Sequence, residues 1–544
     1  MTDAITFGQT TNNFDNDGSG DVVTAIGGDI TLVDSGDLTL GTITAGGFVS
    51  ATADVDNNDV STLRITGPIS SGTSTTLAGG TDNNDTIDID ADITAGSDIV
   101  IQNALDVRID ASTARTLTAN GGGIAVTTGI GGITLDGGSD TVTFDSNDNA
   151  STVDLAAIVD DGIGGTAADL VITSDGSVTS AGIDLGDTND GTLSITIDSA
   201  GGTTQSLTIN GELTNVDSLT LSGNGTDETF TINQDLTTTG GALTVQNASL
   251  IDVNSQLSAA SDLDLINATT VSIASSAAPT LSAGGSIDVS TGVTGITLDG
   301  GGDVSMAGLA GITLAPVTSA GTSLVLDSGT TGTISAATIS GIGTLDIAGS
   351  AGANFQSVSA DTIDVSDTED GQNVVFNGDV SATTLTTTAN GYHLVFNGAN
   401  NSFANAVTFN NIGSLTFGDG AGDTTTFSNG VTATSVSDIS LRGTVQSLGT
   451  SGILLGDADT SIAVAANSTI GGAGTGAIDL GDVVLSDGVT LNVGTGIANT
   501  ITMDSVAGTT GGTASTIALN TTGIINVAGS VGTDIGALTV TNSG

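Results

Sequence analysis

NVVFNGDVSATTLTTTANGYHLVFNG, residues 373–398, contains the tetrapeptide Val-Phe-Asn-Gly twice, at 375–378 and again at 395–398. LTFG at 415–418 repeats the arrangement at nearly the same spacing. A regular period of this size is typical of stacked repeat folds. In such a stack, three phenylalanines would lie above one another: Phe376, Phe396 and Phe417. The stretch therefore predicts a solenoid with coils of about 20–24 residues each.

Short strand patterns continue in both directions from this stretch. Triplets such as Ile30-Thr31-Leu32, Ile133-Thr134-Leu135 and Ile312-Thr313-Leu314 place apolar residues at i and i+2 with a polar residue between them. This alternation buries one face of a strand and leaves the other in water. Gly, Asn, Asp and Ser fill the gaps as turn residues. The sequence therefore predicts an all-β solenoid with almost no helix.

The composition limits the core to small aliphatic side chains. The 544 residues include 81 Gly, 12 Phe and one Tyr but no Trp, and 37% of the residues are hydrophobic. Aromatic residues carry much of the apolar area in a compact core, which disfavours ordinary globular domains. Disordered chains rarely contain so many aliphatic β-branched residues. A thin, repetitive core satisfies both observations.

The charge balance excludes two classes of partner. The chain has 60 acidic and 4 basic residues, no lysine, and a formal net charge of −56. Binding to nucleic acid or to anionic lipid requires clustered Lys and Arg. We therefore expect no nucleic-acid partner and no membrane insertion. The carboxylates instead favour solubility, life in high salt or binding of divalent cations.

The chain divides by composition into three segments of one solenoid. Residues 1–350 form an array of aliphatic coils, 351–430 are richer in Phe and Asn, and 431–544 continue the solenoid. Seven of the 12 phenylalanines lie between Phe355 and Phe427, which predicts a wider coil there. The absence of Cys fits an exported bacterial protein. The opening residues lack a signal peptide, so we expect a segment of a longer array.

Two stretches resemble the repeats of giant bacterial surface proteins. These are GDLTLGTITAGGFVSATA at 36–53 and GGSIDVSTGVTGITLDGGGDVSM at 284–306. They are similar to filamentous-haemagglutinin-like and autotransporter-passenger β-helices. The resemblance implies a right-handed parallel β-helix, secretion, and a role in adhesion or fibre formation. S-layer proteins, which are also rich in Thr, Ala, Gly and Asp and free of Cys, are a second likeness.

Two loops are candidate calcium sites. DNDGSGD at 15–21 places oxygen ligands at alternate positions around glycine, as a calcium loop of the D-x-D-G type does. Its ligands would be Asp15, Asp17, Ser19 and Asp21, while Ile26 stands where the usual bidentate Glu is expected. GGTDNNDTI at 79–87 resembles a degenerate calcium repeat with Asp82 and Asp85 as ligands. The alternative for both loops is a plain solvated turn.

Catalytic residues are sparse. The only histidine, His393, follows the only tyrosine, Tyr392, and there is no Cys or Lys nucleophile. A β-helix polysaccharide-degrading enzyme would need clustered acids with raised pKa values, and the paired acids Asp160 and Asp161 are the nearest candidate. Arg108, between Asp106 and Asp110, predicts a surface ion pair. We expect no enzymatic activity.

These observations favour a secreted structural or adhesive cell-surface protein. It would be a stiff β-solenoid rod that is part of an adhesin or of a self-assembling extracellular filament. We expect self-association, head to tail or lateral, and a cell-surface or matrix ligand. The location would be extracellular, on the bacterial surface. A surface coat with calcium-dependent lattice assembly is the alternative.

Overall fold

The structure is a computed structural model that describes most of the chain. The described residues are 5–8, 22–55, 60–81, 84–148, 151–161, 167–186, 190–198, 205–225, 228–274 and 278–542. Every regular element in these ranges is a β-strand, and no helix occurs among them. The chain forms two compact units. Unit 1 is Met1–Ser272 with Thr291–Val293, and unit 2 is Ile273–Ser290 with Thr294–Gly544.

The strands up to the end of unit 1 are mostly short. They are β1 (Ile5–Gly8), β2 (Val22–Ala25), β3 (Ile30–Val33), β4 (Leu38–Leu40), β5 (Thr42–Ala45), β6 (Val49–Thr52), β7 (Thr62–Ile65), β8 (Ile69–Ser71), β9 (Thr75–Ala78), β10 (Thr86–Ile89), β11 (Ile93–Ala95), β12 (Ile99–Gln102), β13 (Asp106–Asp110), β14 (Arg115–Ala119), β15 (Ile124–Val126), β16 (Ile133–Asp136), β17 (Thr141–Ser146), β18 (Val153–Leu155), β19 (Ile158–Asp160), β20 (Asp169–Ser174), β21 (Val178–Ser180), β22 (Ile183–Asp184), β23 (Gly191–Ile197), β24 (Ser206–Ile209), β25 (Leu213–Thr214), β26 (Val216–Ser222), β27 (Thr229–Ile232), β28 (Leu236–Thr237), β29 (Leu243–Val253), β30 (Leu257–Ala259) and β31 (Leu263–Ala274).

Unit 2 contains several longer strands among short ones. Its strands are β32 (Thr280–Ala283), β33 (Ser286–Val289), β34 (Gly295–Asp299), β35 (Asp303–Gly308), β36 (Gly311–Leu314), β37 (Val317–Ser319), β38 (Ser323–Asp327), β39 (Thr333–Ala336), β40 (Ile339–Gly349), β41 (Ala353–Phe355), β42 (Val358–Val365), β43 (Asn373–Phe376), β44 (Val380–Thr387), β45 (His393–Phe396), β46 (Asn400–Phe403), β47 (Val407–Thr408), β48 (Leu415–Phe417), β49 (Thr424–Phe427), β50 (Val431–Ala433), β51 (Asp438–Ser447), β52 (Ile453–Leu455), β53 (Ser461–Gly471), β54 (Ile478–Leu480), β55 (Asp482–Leu485), β56 (Thr490–Val493), β57 (Ile501–Met503), β58 (Val506–Gly508), β59 (Ser515–Asn520), β60 (Ile525–Val527) and β61 (Ile535–Thr541).

Parallel pairing between successive turns builds the coils. In unit 1, β5 pairs with β8, β6 with β9 and β7 with β10, so three consecutive strands make one turn and feed three strand columns. Unit 2 follows the same plan, although long strands such as β42 bend through a corner and serve two columns. The described residues thus form a parallel β-solenoid of about 21 turns, which confirms the predicted fold class. The right-handed sense stays a prediction.

The turns differ in length because their corner loops differ. In unit 1, Ile30 pairs with Val49 across a short turn, whereas Ile124 pairs with Val153 across a much longer one. In unit 2, the turn that joins Ala353 to Val374 is again short. The predicted coil length describes the shorter turns, and longer corners extend the others. The three compositional segments stay a prediction about sequence character.

The core consists of the alternate strand residues that point inward. In β17, for example, Val142, Phe144 and Ser146 are buried while the residues between them are partly exposed. Parallel in-register pairing places each buried residue against its equivalent in the next turn, as with Phe144 and Ile172. A single turn cannot bury its own apolar face, so coil-on-coil stacking supplies the core.

The phenylalanine stack predicted from the repeat spacing is confirmed. Phe376 pairs with Phe396, and Phe396 with Phe417, in register. The ring centroids of the first pair are 5.3 Å apart with an interplanar angle of 7°, and those of the second are 6.1 Å apart at 15°. Phe355 extends the stack by one turn, with its ring 5.4 Å from that of Phe376. All four rings are buried.

Glycine is required where a long strand bends through a corner. Gly443, inside β51, has φ of +91°, and a Cβ atom there would overlap the carbonyl oxygen of Asp423. Only glycine combines this backbone conformation with so close an approach. In unit 1, Asn247 takes the corresponding left-handed role inside β29, with φ of +57°. Asn tolerates this conformation better than most residues do.

Candidate functional site

The predicted calcium residues fall partly outside the described part of the chain. Asp15, Asp17, Ser19, Asp21 and Asp82 all lie outside the described residues. Asp85 lies immediately before β10 and is fully buried. Its Oδ1 atom accepts the Ser61 amide N–H at 2.7 Å, and its Oδ2 atom accepts the Gly80 amide N–H. Asp85 thus joins two turns through their backbones, and its role as a calcium ligand stays a prediction.

A set of acidic and amide side chains performs a related task at the starts of strands. We call them the strand-start aspartates. Each aspartate stands directly before the first buried residue of a strand and accepts the amide N–H at the equivalent position one turn later, at 2.8–3.0 Å. The pairs are Asp29–Phe48, Asp37–Thr62, Asp92–Thr116, Asp98–Gly123, Asp169–Thr192, Asp235–Gln256 and Asp379–Asn400. Asn467, inside β53, accepts the Thr490 amide N–H at 2.9 Å in the same way.

The strand-start aspartates have a clear physical purpose. Where the preceding turn bends away, the first N–H of the next strand has no backbone carbonyl opposite it, and an unpaired amide is costly. A carboxylate supplies the acceptor, and because most of these hydrogen bonds are exposed, each contributes about 1 kcal/mol or less. Seven of the 60 acidic residues therefore link successive turns in this way. The sequence signal is an Asp directly before an apolar-x-apolar triplet.

A charged column runs along the third strand column of unit 1. We use this name for the outward residues of β7, β10, β13 and β16, where Arg64, Asp88, Arg108 and Thr134 are in register. Arg64 contacts Asp88 at 3.4 Å and Asp90 at 2.7 Å. Three of the four arginines of the chain lie here or beside it, the third being Arg115. The charges alternate in sign from Arg64 through Asp88 to Arg108, whereas Asp110 and Asp136 at the ends of β13 and β16 face each other.

The ion pairs of the charged column differ partly from the prediction. Arg108 contacts Asp106 at 3.2 Å, as expected, but its second partner is Asp136 of the next turn, also at 3.2 Å. Asp110 instead pairs with Arg115. Asp136, on the next turn, lies closer to the Arg108 guanidinium than Asp110 of the same strand does, so Arg108 pairs with Asp136. Since Arg108 is 44% exposed, each pair contributes little to stability.

The pKa values of the carboxylates near the charged column shift in opposite directions. Burial, and then the neighbouring charge of Asp90, raise the pKa of Asp88. Burial, and then a hydrogen bond with Asp161, raise the pKa of Asp136. Burial also acts on Asp110, but hydrogen bonds from Ser112 and Arg115 outweigh it and lower the pKa of that carboxyl. The arginines thus stabilise some of these charges and leave others unfavourable.

The residues of the enzyme alternative have structural partners. In unit 2 the His393 Nδ1 atom accepts the Ser414 amide N–H at 2.9 Å. The Tyr392 side chain is fully buried, its hydroxyl accepts the Thr388 amide N–H at 3.1 Å, and burial raises its pKa. In unit 1 the Asp160 Oδ2 atom accepts the Ala168 amide N–H at 2.7 Å. The expectation of no enzymatic activity stays a prediction.

A file of Thr and Ser side chains, interrupted once by Asp145, covers the strand column of unit 1 that contains β2, β5 and β8. We call it the hydroxyl file. Nine successive strands from β2 to β26 present outward residues in register: Thr24, Thr44, Ser70, Thr94, Thr118, Asp145, Thr173, Thr196 and Ser222. Thr and Ser suit the outer face of a strand because they combine β propensity with hydration. This surface was not foreseen, since the steps between its members vary.

A polar cleft of about 690 Å³ opens beside β25 and β28 in unit 1. Its side chains are amides, hydroxyls and two carboxylates, with Leu213 as its one apolar lining residue. They belong to Asn210, Glu212, Leu213, Thr214, Asn215, Gln234, Asp235, Thr237, Thr239 and Ser255, with Gly211 contributing backbone. No sequence pattern indicated this cleft, because none of these residues forms a recognisable motif.

Stacked aspartates in unit 2 lead to a pH-dependent prediction. Asp346 and Asp364 face each other on adjacent turns. Burial, and then the charge of Asp346, raise the pKa of Asp364. A raised pKa in the folded state means that the ionised Asp364 destabilises the fold at neutral pH, and that this cost disappears as the pH falls through the folded-state pKa.

We therefore expect Asp364→Asn to increase the free energy of unfolding of unit 2 at pH 7, by up to about 1 kcal/mol. At pH 3, where the wild-type carboxyl is protonated, the two proteins should have equal stability. Urea denaturation followed by Tyr392 fluorescence measures both values. Asp361→Asn, an exposed aspartate of the same strand outside the stacked pair, is the matched control. If Asp364→Asn increases the free energy of unfolding by the same amount at pH 7 and at pH 3, the prediction is wrong.

Comparison with known proteins gave no relatives. No protein-family model matches the chain, and neither a curated protein nor a solved structure matches it. In the described residues we find no helix capable of spanning a membrane, and no group of three or more His, Cys, Asp or Glu that could hold a metal ion. The class of the protein is therefore defined by its fold, a parallel β-solenoid of the β-helix repeat type.

Proposed function

We propose that the chain is a non-enzymatic structural or adhesive segment of a secreted cell-surface protein, either an adhesin or a self-assembling extracellular filament. The observation that carries the proposal is the continuous in-register stacking of aliphatic residues beneath an outer face of Thr, Ser and Asp. Such a stack resists local opening, because each turn is buried by its neighbours. The net charge of −56 keeps the surface hydrated. The likeness to filamentous-haemagglutinin-like and autotransporter-passenger repeats supports the same role.

Self-association through strand edges is part of the proposal. Leu538 and Val540 of β61 stack in register on Ile517 and Leu519 of β59, yet they are 46% and 49% exposed. We propose that copies of the chain associate head to tail or laterally. In the head-to-tail mode these residues would pair with Ile5-Thr6-Phe7 of β1, which has the same apolar-x-apolar pattern.

Electron microscopy and light scattering of the purified chain test the assembly. We expect filaments whose length increases with protein concentration. The double variant Leu538→Asp with Val540→Asp should remain monomeric. Leu448→Asp, which places the same charge on an apolar residue that is 48% exposed elsewhere in unit 2, should still assemble. A wild-type chain that stays monomeric at high concentration would remove the filament role.

Display on a non-adherent bacterium tests the adhesive role. Cells carrying the chain should bind to host-cell or matrix-coated surfaces more than cells carrying an acidic disordered linker of equal length do. The resemblance and the acidic, lysine-free surface also support an extracellular location. Equal binding by both cell types, together with a monomeric chain, would contradict the proposed function.

Calcium distinguishes a filament from a surface coat. We propose calcium at Asp15, Asp17, Ser19 and Asp21, and at Asp82 with Asp85, because their oxygen ligands suit that ion. If the chain forms two-dimensional lattices in calcium that dissolve in EDTA, it is an S-layer-like coat protein and not a filament subunit. Assemblies and unfolding curves that EDTA does not change would support the filament.

A further inference from the structure

The polar cleft of unit 1 exists because one strand column is interrupted. β25 is the terminal strand of an eight-stranded sheet, in which it pairs with β22. β28 belongs to the large sheet and pairs with β30. Leu213 and Leu236 nevertheless stand at equivalent positions of successive turns, because each follows its preceding paired strand by the same number of residues. Among the described residues no ladder joins β25 to β28.

The corners after the two strands explain the interruption. Asn215 alone separates β25 from β26, and its φ of +53° turns the chain at once. Directly after β28, Thr238 forms a parallel bridge with Val216. Asn215 is therefore one extra residue on the β25 side between two equivalent pairs of positions, and the cleft opens beside this irregularity. An unpaired strand edge presents backbone donors and acceptors to whatever enters.

Fixed contacts hold the walls of the cleft. The Asp235 Oδ1 atom accepts the Gln256 amide N–H at 3.0 Å, and the Asn215 side-chain amide donates to Asp184 at 2.9 Å. The carbonyl of Glu212 accepts the Ile183 amide N–H at 3.0 Å, which fixes the backbone while its side chain remains at the surface of the cleft. Hydrogen bonds to neighbouring turns thus fix the backbone that presents these polar groups.

We propose that this cleft binds a neutral saccharide of one to three sugar units. The volume of about 690 Å³ lies within the range of small-ligand sites. Sugar hydroxyls can donate to the carboxylates of Glu212 and Asp235 and accept from the amides of Asn210 and Gln234. The two carboxylates of the lining repel sulfated, sialylated or phosphorylated ligands, because the lining has no basic residue to offset their charge. The lining is mixed, with polar groups beside the apolar surface of Leu213 and the Thr side chains, and a sugar carries hydroxyl groups beside C–H surface in the same way.

The inference rests on the proposed adhesive role, since it names the class of ligand through which adhesion would occur. Without an aromatic surface for the sugar ring, affinity at one cleft is expected to be weak, with dissociation constants of about 0.1–1 mM. Many copies on one surface would then supply avidity.

Titration of the full chain with maltotriose, cellotriose, mannotriose and tri-N-acetylchitotriose, followed by calorimetry and ligand-observed NMR, tests the proposal. At least one of these sugars should bind. Glu212→Ala and Gln234→Ala should each weaken that binding about tenfold, and Thr237→Trp, which fills the cleft, should abolish it. Glu369→Ala, an exposed glutamate of unit 2, is the matched control and should change nothing. Circular dichroism verifies that each variant is folded.

Three results would overturn the inference: no binding by any of the four sugars, binding that Thr237→Trp leaves intact, or preferential binding of a sialylated or sulfated trisaccharide. The cell-binding assay separates this failure from failure of the proposed function. If Thr237→Trp cells still adhere, the saccharide site is not the adhesive site, but the adhesive role stands. If the chain binds a saccharide but neither adheres nor assembles, the proposed function is contradicted, but the saccharide site stands.

Discussion

Replacing Phe396 with alanine is expected to lower the free energy of unfolding of unit 2 by about 3–5 kcal/mol. The side chain is fully buried and lies at the centre of the aromatic cluster. Its ring stacks on Phe376 at 5.3 Å and on Phe417 at 6.1 Å, and it meets Phe403 edge-on at 5.6 Å. Phe409 meets it edge-on at 6.2 Å as well, so truncation would leave a cavity lined by four rings and would remove aromatic contacts of about 0.5–1.5 kcal/mol each.

Tyr392 provides a local probe for this experiment. It is the only tyrosine of a chain without tryptophan, and it lies just before β45, the strand that contains Phe396. Urea unfolding followed by its fluorescence should shift to lower denaturant in Phe396→Ala. Phe396→Leu, which retains most of the volume, should lose less than about 1.5 kcal/mol. If both variants lose the same small amount, the aromatic stack is not a major source of stability.

The phenylalanine stack was predictable because a rare residue marked the period. Phe376, Phe396 and Phe417 are separated by nearly equal steps, and 12 phenylalanines in 544 residues make coincidence improbable. Once equal steps exist, parallel stacking follows, since each turn must place its large side chain over the previous one. The strand triplets were predictable for a similar reason. Their alternation directly encodes one wet face and one dry face.

The hydroxyl file was not predictable, because its residues are common and its steps are uneven. Thr44 pairs with Ser70 across a longer turn than the one that joins Thr24 to Thr44. Corner loops absorb the difference without disturbing the register of the strands. The polar cleft depends on the same freedom. Asn215 follows β25 as one extra residue, whereas Thr238 bridges to Val216 directly after β28, and this mismatch interrupts a ladder that the strand residues alone would have continued.

The role of the strand-start aspartates as amide acceptors could not be predicted, for a physical reason. A carboxylate in a glycine-rich turn can be solvated, can bind a cation, or can accept an amide N–H. The sequence displays the first two locally, but the amide donor belongs to another turn, as Gly123 does for Asp98. The equivalent position becomes visible only when Ile99 is paired with Ile124. The strand register is therefore needed to recognise these aspartates as backbone acceptors, and the calcium sites stay a prediction.

Asp85→Ala is expected to destabilise its turns by about 2–6 kcal/mol, because two buried amide groups lose their acceptor at once. The carboxylate is fully buried and receives the N–H groups of Ser61 and Gly80, from two different turns. Ser61 is itself buried, so water cannot replace the lost carboxylate without opening the corner. Hydrogen exchange measured by mass spectrometry should show faster exchange from Ser61 to Leu105, while peptides from unit 2 keep their protection.

The same variant decides between a backbone clasp and a calcium ligand. If Asp85 acts as a clasp, EDTA leaves the wild-type exchange unchanged and Asp85→Ala loses protection equally with and without the chelator. If calcium held this corner, EDTA alone would reproduce the loss and the substitution would add nothing further. Asp98→Ala removes a single, exposed N–H acceptor that water can replace, so it should lose only about 0.5–1 kcal/mol. The ratio of the two losses then measures how much burial and the second amide strengthen the clasp, independently of any metal.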